Sequence, residues 1–380
     1  MAEKKMNVAI IGCGVISAAY LDSIFQYFSI LHVTACSDLD QERMDTCARK
    51  YGIRAMNFDE ILADPEIEMI INLTNPAAHY SITKQALLHG KHVFSEKMMS
   101  VTLEEGRELC RLADEKGLRL GVAPDTFLGG PIQTARYIME AGLIGEPLSF
   151  VASVSRDYGV FGELLPHLRK KGAGIVLDMG GYYLAALANM FGPAESVMAY
   201  SRIYEPDRVD MRVTNRTFGE SYAVETENVV ASVIRYCNGV IGTFHLNSDS
   251  LVNETTHLEI YGTDGILYMG DPNCFDSKVY LRKYTGEPLE FPYTHGYSKQ
   301  SRGLGAAEMA WAICKGRPHR ASKEMSYHVF EMLYGILNGA AEGRLVKMES
   351  TFEKPAALPA GYVACDSWGN WGPTQESALI

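Results

Sequence analysis

Lys97, Asp178 and Tyr182 are the side chains whose types could together oxidise a carbinol. Moving hydride from a carbinol C–H needs a group that takes the hydroxyl proton and an electrophile that polarises the developing carbonyl. Lys97 and Tyr182 could divide those tasks: an ammonium beside a phenol lowers the phenol pKa from about 10, and the phenol relays a proton to and from the lysine. Asp178 would orient the lysine through a charge-assisted hydrogen bond. Asp178 and Tyr182 are four residues apart, so on a helix both project from one face. Lys97 would have to reach that face across a cleft. Each residue also has a plainer reading, as a solvated lysine, an aspartate at a helix N-terminus and a core tyrosine.

Such chemistry needs a hydride carrier, and the N-terminal stretch supplies a place for one. Asn7 to Ile11 is an apolar β-run that breaks at Gly12-Cys13-Gly14 and passes into a helical pattern through Val15 and Ile16. Gly12 permits a tight turn, and Gly14 leaves room for a pyrophosphate over the helix N-terminus, whose free N–H groups attract anions. Ser17 takes the place of the third glycine of this fingerprint and is still small enough for close helix-strand packing. Asp38 stands at the end of the next strand, 24 residues after Gly14, where an acid is expected to bind the ribose 2′-hydroxyl. The alternative for Asp38 is a helix N-cap. A carboxylate there repels a 2′-phosphate, so NAD is favoured over NADP.

Strands and helices alternate through the first third of the chain. The apolar run Ile67 to Thr74 ends in a loop, Asn75-Pro76-Ala77-Ala78-His79, and Lys91 to Ser95 ends in Glu96-Lys97. Both ends lie where open α/β sheets bind ligands, which makes Thr74, Asn75, His79, Glu96 and Lys97 candidate cofactor contacts. A histidine at a helix start is the other reading of His79. The pattern predicts a doubly wound, mainly parallel Rossmann domain over residues 1–124. From Asp125 it changes: a helix over about 130–141, a strand over 148–155, an apolar helix over 175–191, then long β-runs with hairpin signals at Asn238-Gly239 and Asp264-Gly265. This predicts an α+β domain over 125–380 with a large, mostly antiparallel open sheet. Residues 304–315 and 326–341 read as helices covering one face of that sheet, leaving the other free to pair with a second subunit. Asp125, Arg156, Tyr158 and Tyr183 are weaker substrate-contact candidates, and His167 and His245 have surface or core readings as well.

Acids outnumber bases 46 to 35, with no basic cluster, which argues against nucleic acid and anionic membranes as partners. The eight cysteines are scattered without metal-like spacing, and no H-x-x-x-H or ligand-spaced carboxylates occur, so no metal is expected. Residues 1–6 lead straight into the first strand, leaving no signal segment, and no uncharged apolar run is long enough to span a bilayer. The expected location is the cytoplasm. Residues 366–380 carry Trp368 and Trp371 and resist assignment.

Together Gly12-Cys13-Gly14, Asn75-Pro76 with His79, Glu96-Lys97, Gly121-Val122, Asp178 to Tyr182, Gly262-Thr263 and Pro318-His319-Arg320 resemble the glucose-fructose oxidoreductase, inositol dehydrogenase and rhizopine-catabolism (Gfo/Idh/MocA) family over almost the whole chain. The resemblance implies a Rossmann domain followed by an α/β domain whose open sheet makes a homodimer or homotetramer. It also implies NAD(P)-dependent chemistry on sugars, polyols and related diols. Two positions depart from the family pattern. Met98 replaces the proline of E-K-P, a proline that commonly follows a cis peptide, and Tyr182 stands where many members have histidine, as in the glucose-fructose oxidoreductase and dihydrodiol dehydrogenase branches. Two other functions fit the same residues: a lyase or glycosidase that retains NAD and oxidises its substrate transiently, and a non-catalytic NAD-binding regulator.

Overall fold

The computed structural model describes residues 5–159, 166–250, 257–360 and 362. The C-terminal stretch 366–380, unassigned from sequence, lies outside them. The elements in chain order are β1 (Met6–Ile11), α1 (Val15–Tyr27), β2 (Leu31–Ser37), α2 (Gln41–Tyr51), β3 (Arg54–Ala55), α3 (Phe58–Ala63), β4 (Met69–Asn72), α4 (Pro76–Leu88), β5 (His92–Ser95), α5 (Leu103–Lys116), β6 (Leu120–Val122), α6 (Gly130–Glu140), β7 (Pro147–Ser155) and α7 (Gly174–Phe191). They continue with β8 (Ala194–Arg202), β9 (Asp207–Val209), β10 (Ser221–Ala223), β11 (Val229–Tyr236), β12 (Ile241–Asn247), β13 (His257–Gly262), β14 (Gly265–Met269), β15 (Val279–Lys283), β16 (Leu289–Glu290), α8 (Leu304–Cys314), α9 (Lys323–Glu342) and β17 (Val346–Lys347). The chain divides into two compact units. One comprises residues 1–133, 293–327 and 355–380, the other residues 134–292 and 328–354.

The first unit is built on a six-stranded sheet of order β3-β2-β1-β4-β5-β6. Every pairing is parallel. This is the expected doubly wound sheet, and its strand order reverses between β1 and β4. Those two strands are buried along nearly their whole length, as central parallel strands are. Local signals set the helices. Asp40 caps α2 by accepting from the N–H groups of Glu42 and Arg43, Gly52 closes it in the left-handed region, and Thr102 with Glu105 forms a capping box at α5.

The second unit is built on a nine-stranded sheet of order β16-β15-β14-β13-β7-β12-β11-β8-β17. It is antiparallel except where β7 runs parallel to β12. Both expected hairpins are present, β11–β12 turning at Asn238-Gly239 and β13–β14 just before Gly265. Burial alternates along β11 and β12, so one face is core and the other open. α7 packs on the core face, buried on almost every side.

One helix assignment needs correction. Residues 304–315 were expected to cover the large sheet, but α8 belongs to the first unit and lies against β6: a Cβ at Gly305 would come 2.7 Å from Phe94, and one at Gly121 would meet Met309 at 3.0 Å. An apolar stripe shows that a helix is covered, not by which sheet. α9 does meet the expectation over its later turns, where Gly335 faces Val197 of β8 and Val346 of β17.

His319 is buried in the first unit, with Nε2 3.2 Å from the Leu120 carbonyl, and burial pulls its pKa down to about 4. Between that value and the ordinary value of about 6.5, the unfolded chain is protonated at this site and the native chain is not. Stability from His319 is therefore complete above pH 6.5 and lost as pH falls toward 4. We expect the urea midpoint to drop on going from pH 7 to pH 5, and His319→Gln to reduce that drop by about 2 kcal/mol. Equal slopes in the two proteins would refute this.

Candidate active site

The first unit's site grows from the reversal point of its sheet. β1 ends at Gly12, whose φ of +97° L-residues avoid, and a Cβ there would lie 2.7 Å from the Leu73 carbonyl carbon and 2.8 Å from the Thr74 nitrogen. Only glycine lets β1 turn this close to the end of β4. Gly14 caps α1, and a Cβ on it would meet nothing within 4 Å. No side chain caps the first turn of α1 and no acid lies in it. Val15 there is 98% exposed, and Ile16 is half-buried. A turn with open space at Gly14 and uncapped N–H groups fits a dinucleotide pyrophosphate.

Asp38 sits just past β2, against that turn. Its Oδ2 accepts from the Cys13 N–H at 2.7 Å and its Oδ1 from the Asp40 N–H at 2.8 Å. Asp40, not Asp38, is the helix cap. Each Asp38 oxygen keeps a further lone pair for a ribose hydroxyl.

The β4 end is held from beneath. Asn72 Oδ1 accepts from Thr74 Oγ1 at 2.7 Å, and Asn72 Nδ2 donates to the His79 carbonyl and to Thr83 Oγ1. His79 is fully buried and its ring spans two carbonyls: Nδ1 lies 2.6 Å from Met98 O and Nε2 lies 2.9 Å from Thr74 O. Burial pulls the His79 pKa down, against the opposing pull of both carbonyls and Glu96. His79 thus ties the Thr74-Asn75 loop to the turn that carries Lys97, while exposed Asn75 starts α4.

Glu96 is buried and faces inward, accepting from Tyr20 Oη at 2.7 Å and from the Lys97 N–H at 3.0 Å. The burial of Tyr20 and then the charge of Glu96 hold the Tyr20 hydroxyl well above the usual phenol pKa, so Tyr20 stays a donor. The Lys97–Met98 peptide is cis, with methionine in the place of the family's proline. Lys97 itself is half-buried.

The second unit carries Asp178 and Tyr182. Asp178 and Tyr182 lie one turn apart on α7. A Cβ on Gly180, between them, would come 2.7 Å from Leu333 Cδ2, so the glycine of this motif lets α7 lie close against α9. Tyr158 Oη donates to Asp178 Oδ2 at 2.7 Å. Burial and the Asp178 charge hold the Tyr158 pKa well above the phenol range, so this tyrosine remains a donor that fixes the carboxylate.

Three of the weaker candidates are placed otherwise than the sequence suggested. Asp125 is 1% exposed, and its Oδ2 accepts from the N–H groups of Gly303 and Gly305 at the start of α8, with burial raising its pKa to about 6. It anchors a helix. Tyr183 is fully buried and stacked on Phe244, with ring centroids 5.1 Å apart, a core position. Arg156 pairs with Asp271 at 2.5 Å. His245 lies on the open face of β12, and His167 is exposed after the undescribed stretch. Sequence reading missed Tyr20, which meets Glu96 across 76 residues, and it missed Asn72 and the partnership of Tyr158 with Asp178, whose nearer partners only the folded backbone brings together.

Comparison with known proteins agrees with this geometry. Residues 6–123 match the model of the oxidoreductase family with an NAD-binding Rossmann fold, and residues 132–268 match the Gfo/Idh/MocA C-terminal domain. An uncharacterized oxidoreductase of Synechocystis sp. is 28% identical over 75% of this chain and 78% of its own length. Trans-1,2-dihydrobenzene-1,2-diol dehydrogenase of Bos taurus is 25% identical over 77% of this chain and 84% of its own. The structure of levoglucosan dehydrogenase in complex with NADH and levoglucosan superposes with a TM-score of 0.78 at 20% identity, over 91% of this chain and all of that one, a likeness of fold. With both domain models matched in order along one chain, this protein belongs to the Gfo/Idh/MocA family of NAD-binding oxidoreductases.

Proposed function

We propose that this oxidoreductase transfers hydride between NAD(H) and a carbinol carbon of a sugar, polyol or cyclic diol. The observation that carries the reading is Asp178, braced by Tyr158 at 2.7 Å and set one helical turn from Tyr182. A fixed carboxylate on the same helix face as a phenol suits orientation of a lysine and relay of a proton. Further support comes from relatives named for a dihydrodiol and for levoglucosan, both carrying neighbouring hydroxyls on a ring.

In this reading Gly12, Gly14, Val15 and Ile16 take the pyrophosphate, Asp38 takes the ribose 2′-hydroxyl, and Thr74 and Asn75 complete the cofactor site. His79 and Glu96 act by holding the loops on either side of Lys97. The bound nicotinamide accepts or gives the hydride. Lys97 and Tyr182 share the hydroxyl proton and the polarisation of the carbonyl oxygen, and Asp178 orients the lysine. Cofactor binding belongs to residues 1–124, substrate binding and assembly to residues 125–380. The open face of the large sheet carries Val151, Met198, Tyr200, Val233 and Ile241, with Tyr200 72% exposed, and suits pairing with a second copy of the chain. Residence in the cytoplasm is part of the same reading; among the described residues no helix is long and apolar enough to cross a membrane.

Four measurements test these assignments. With a panel of sugars, inositols and diols, NADH should form in proportion to the consumption of one compound. Lys97→Ala and Tyr182→Phe should each lower kcat roughly 10²–10⁴-fold while NADH affinity stays within a few-fold; full turnover in Lys97→Ala would sink the mechanism. Asp38→Asn removes the charge and should shift the ratio of NADPH to NADH dissociation constants toward NADPH by roughly tenfold or more, whereas an unchanged ratio would take Asp38 out of cofactor choice. Tyr200→Asp should convert the wild-type oligomer to monomer in sedimentation, and a monomeric wild type would remove the sheet face as an interface.

A further inference from the structure

Three cysteines that no sequence motif connects meet beside the glycine turn. Cys13 lies in the turn itself, Cys36 in β2 and Cys47 in α2, and their sulfur atoms all lie within 4.8 Å of one another. Cys36 and Cys47 are buried and Cys13 is half-buried. Cys13 Sγ donates to the Ser37 carbonyl and Cys36 Sγ to the Met44 carbonyl, each at 3.7 Å. These are weak contacts that a metal bond would replace at small cost.

The chemistry of the donor set selects the ligand. A zinc–sulfur bond of about 2.3 Å puts sulfurs roughly 3.8–4.0 Å apart in a tetrahedral or trigonal site. Sulfurs already within 4.8 Å reach that spacing by shifts of about 1 Å or less, within what side-chain rotation supplies. Three thiols with no carboxylate or imidazole in the group favour a soft ion over magnesium or calcium. There is a route in: Cys13 and Cys47 both line a cleft of about 420 Å³ that also includes Gly14, Ser17, Asp40 and Lys50. The bland reading, three thiols packed as small apolar groups, explains their burial but not that two of them, Cys13 and Cys47, also line a cleft.

We propose that Cys13, Cys36 and Cys47 form a three-sulfur site for one soft d¹⁰ cation of the zinc and cadmium type. Binding displaces up to three thiol protons to solvent as three sulfur–metal bonds form, with no change of oxidation state. The ion joins the glycine turn, the end of β2 and α2, so its occupation stiffens the segment around Cys13. The proposal does not depend on which dinucleotide the chain uses.

The test is titration of the reduced, full-length protein with cadmium chloride, read by sulfur-to-cadmium charge-transfer absorbance in the ultraviolet. A band that saturates at one equivalent and is lost in both Cys36→Ala and Cys47→Ala supports the site, as does a rise in melting temperature with cadmium in the wild type. No band at stoichiometric cadmium, or a band that survives in those variants, overturns it. If a variant fails to fold, alkylation of the wild type mapped by mass spectrometry decides: one equivalent of cadmium should slow modification of Cys13 at least tenfold while the exposed Cys237 and Cys314 react as before. Equal rates at Cys13 with and without cadmium refute the proposal.

Discussion

A single imidazole ties together the parts of the first unit that chemistry needs. His79, fully buried, lies between the Met98 carbonyl at 2.6 Å and the Thr74 carbonyl at 2.9 Å. One of these oxygens belongs to the loop after β4, the other to the turn after β5 that carries Lys97. A buried carbonyl left without a donor costs about 1–3 kcal/mol; the imidazolium donates to both oxygens and the neutral ring to one of them, so the proton on His79 decides which loop it holds. Glu96 completes the clamp, because it accepts from the Lys97 N–H and is itself held by Tyr20. The backbone around the lysine is thus held from two sides. The backbone that carries the lysine is fixed in advance, and ordering its side chain is left to cost about 1.5–2 kcal/mol in rotamer entropy.

The second unit solves the same problem by packing. α7 is buried on nearly every side, which fixes its rotation about its axis, and the absence of a side chain at Gly180 sets its distance from Leu333. Asp178 and Tyr182 then inherit their positions from a helix that cannot turn. Tyr158 adds the hydrogen bond that selects one carboxylate rotamer. Substituting Gly180 would push the helix off Leu333 and move both residues at once, although neither touches that glycine's site.

How much of this could be read beforehand follows from the range of the interactions. Gly12, Gly14 and Asp38 were legible because strand, turn, helix, strand and acid follow one another within 38 residues, and the physics of that motif is local. Asp178 and Tyr182 were legible as a pair through helical spacing. Asp125 was misread because its partners, the N–H groups of Gly303 and Gly305, lie far along the chain. Tyr183, one residue from Tyr182, points elsewhere because successive helical residues differ by about 100°. The placement of α8, the parallel pairing of β7 with β12, and the meeting of Cys13, Cys36 and Cys47 are long-range facts that no periodicity encodes.

The chain carries a formal charge of −11, yet its first unit is shaped to receive a doubly charged pyrophosphate. Long-range repulsion is weak at this task, since salt screens charges beyond about 8 Å at physiological ionic strength. What matters is the field within a few ångströms, and there the chain presents dipoles: uncapped N–H groups at the start of α1, no acid in that first turn, and no side chain on Gly14 to hold an anion away. The nearby acid, Asp38, already has both oxygens on backbone N–H donors, which spreads its charge into the turn and aims its remaining lone pairs outward. An attraction built from backbone dipoles does not require a basic patch. It therefore leaves the surface acidic while the turn itself favours an anion, and in the proposed reading the acid after the second strand filters out any ligand with a further phosphate on its ribose.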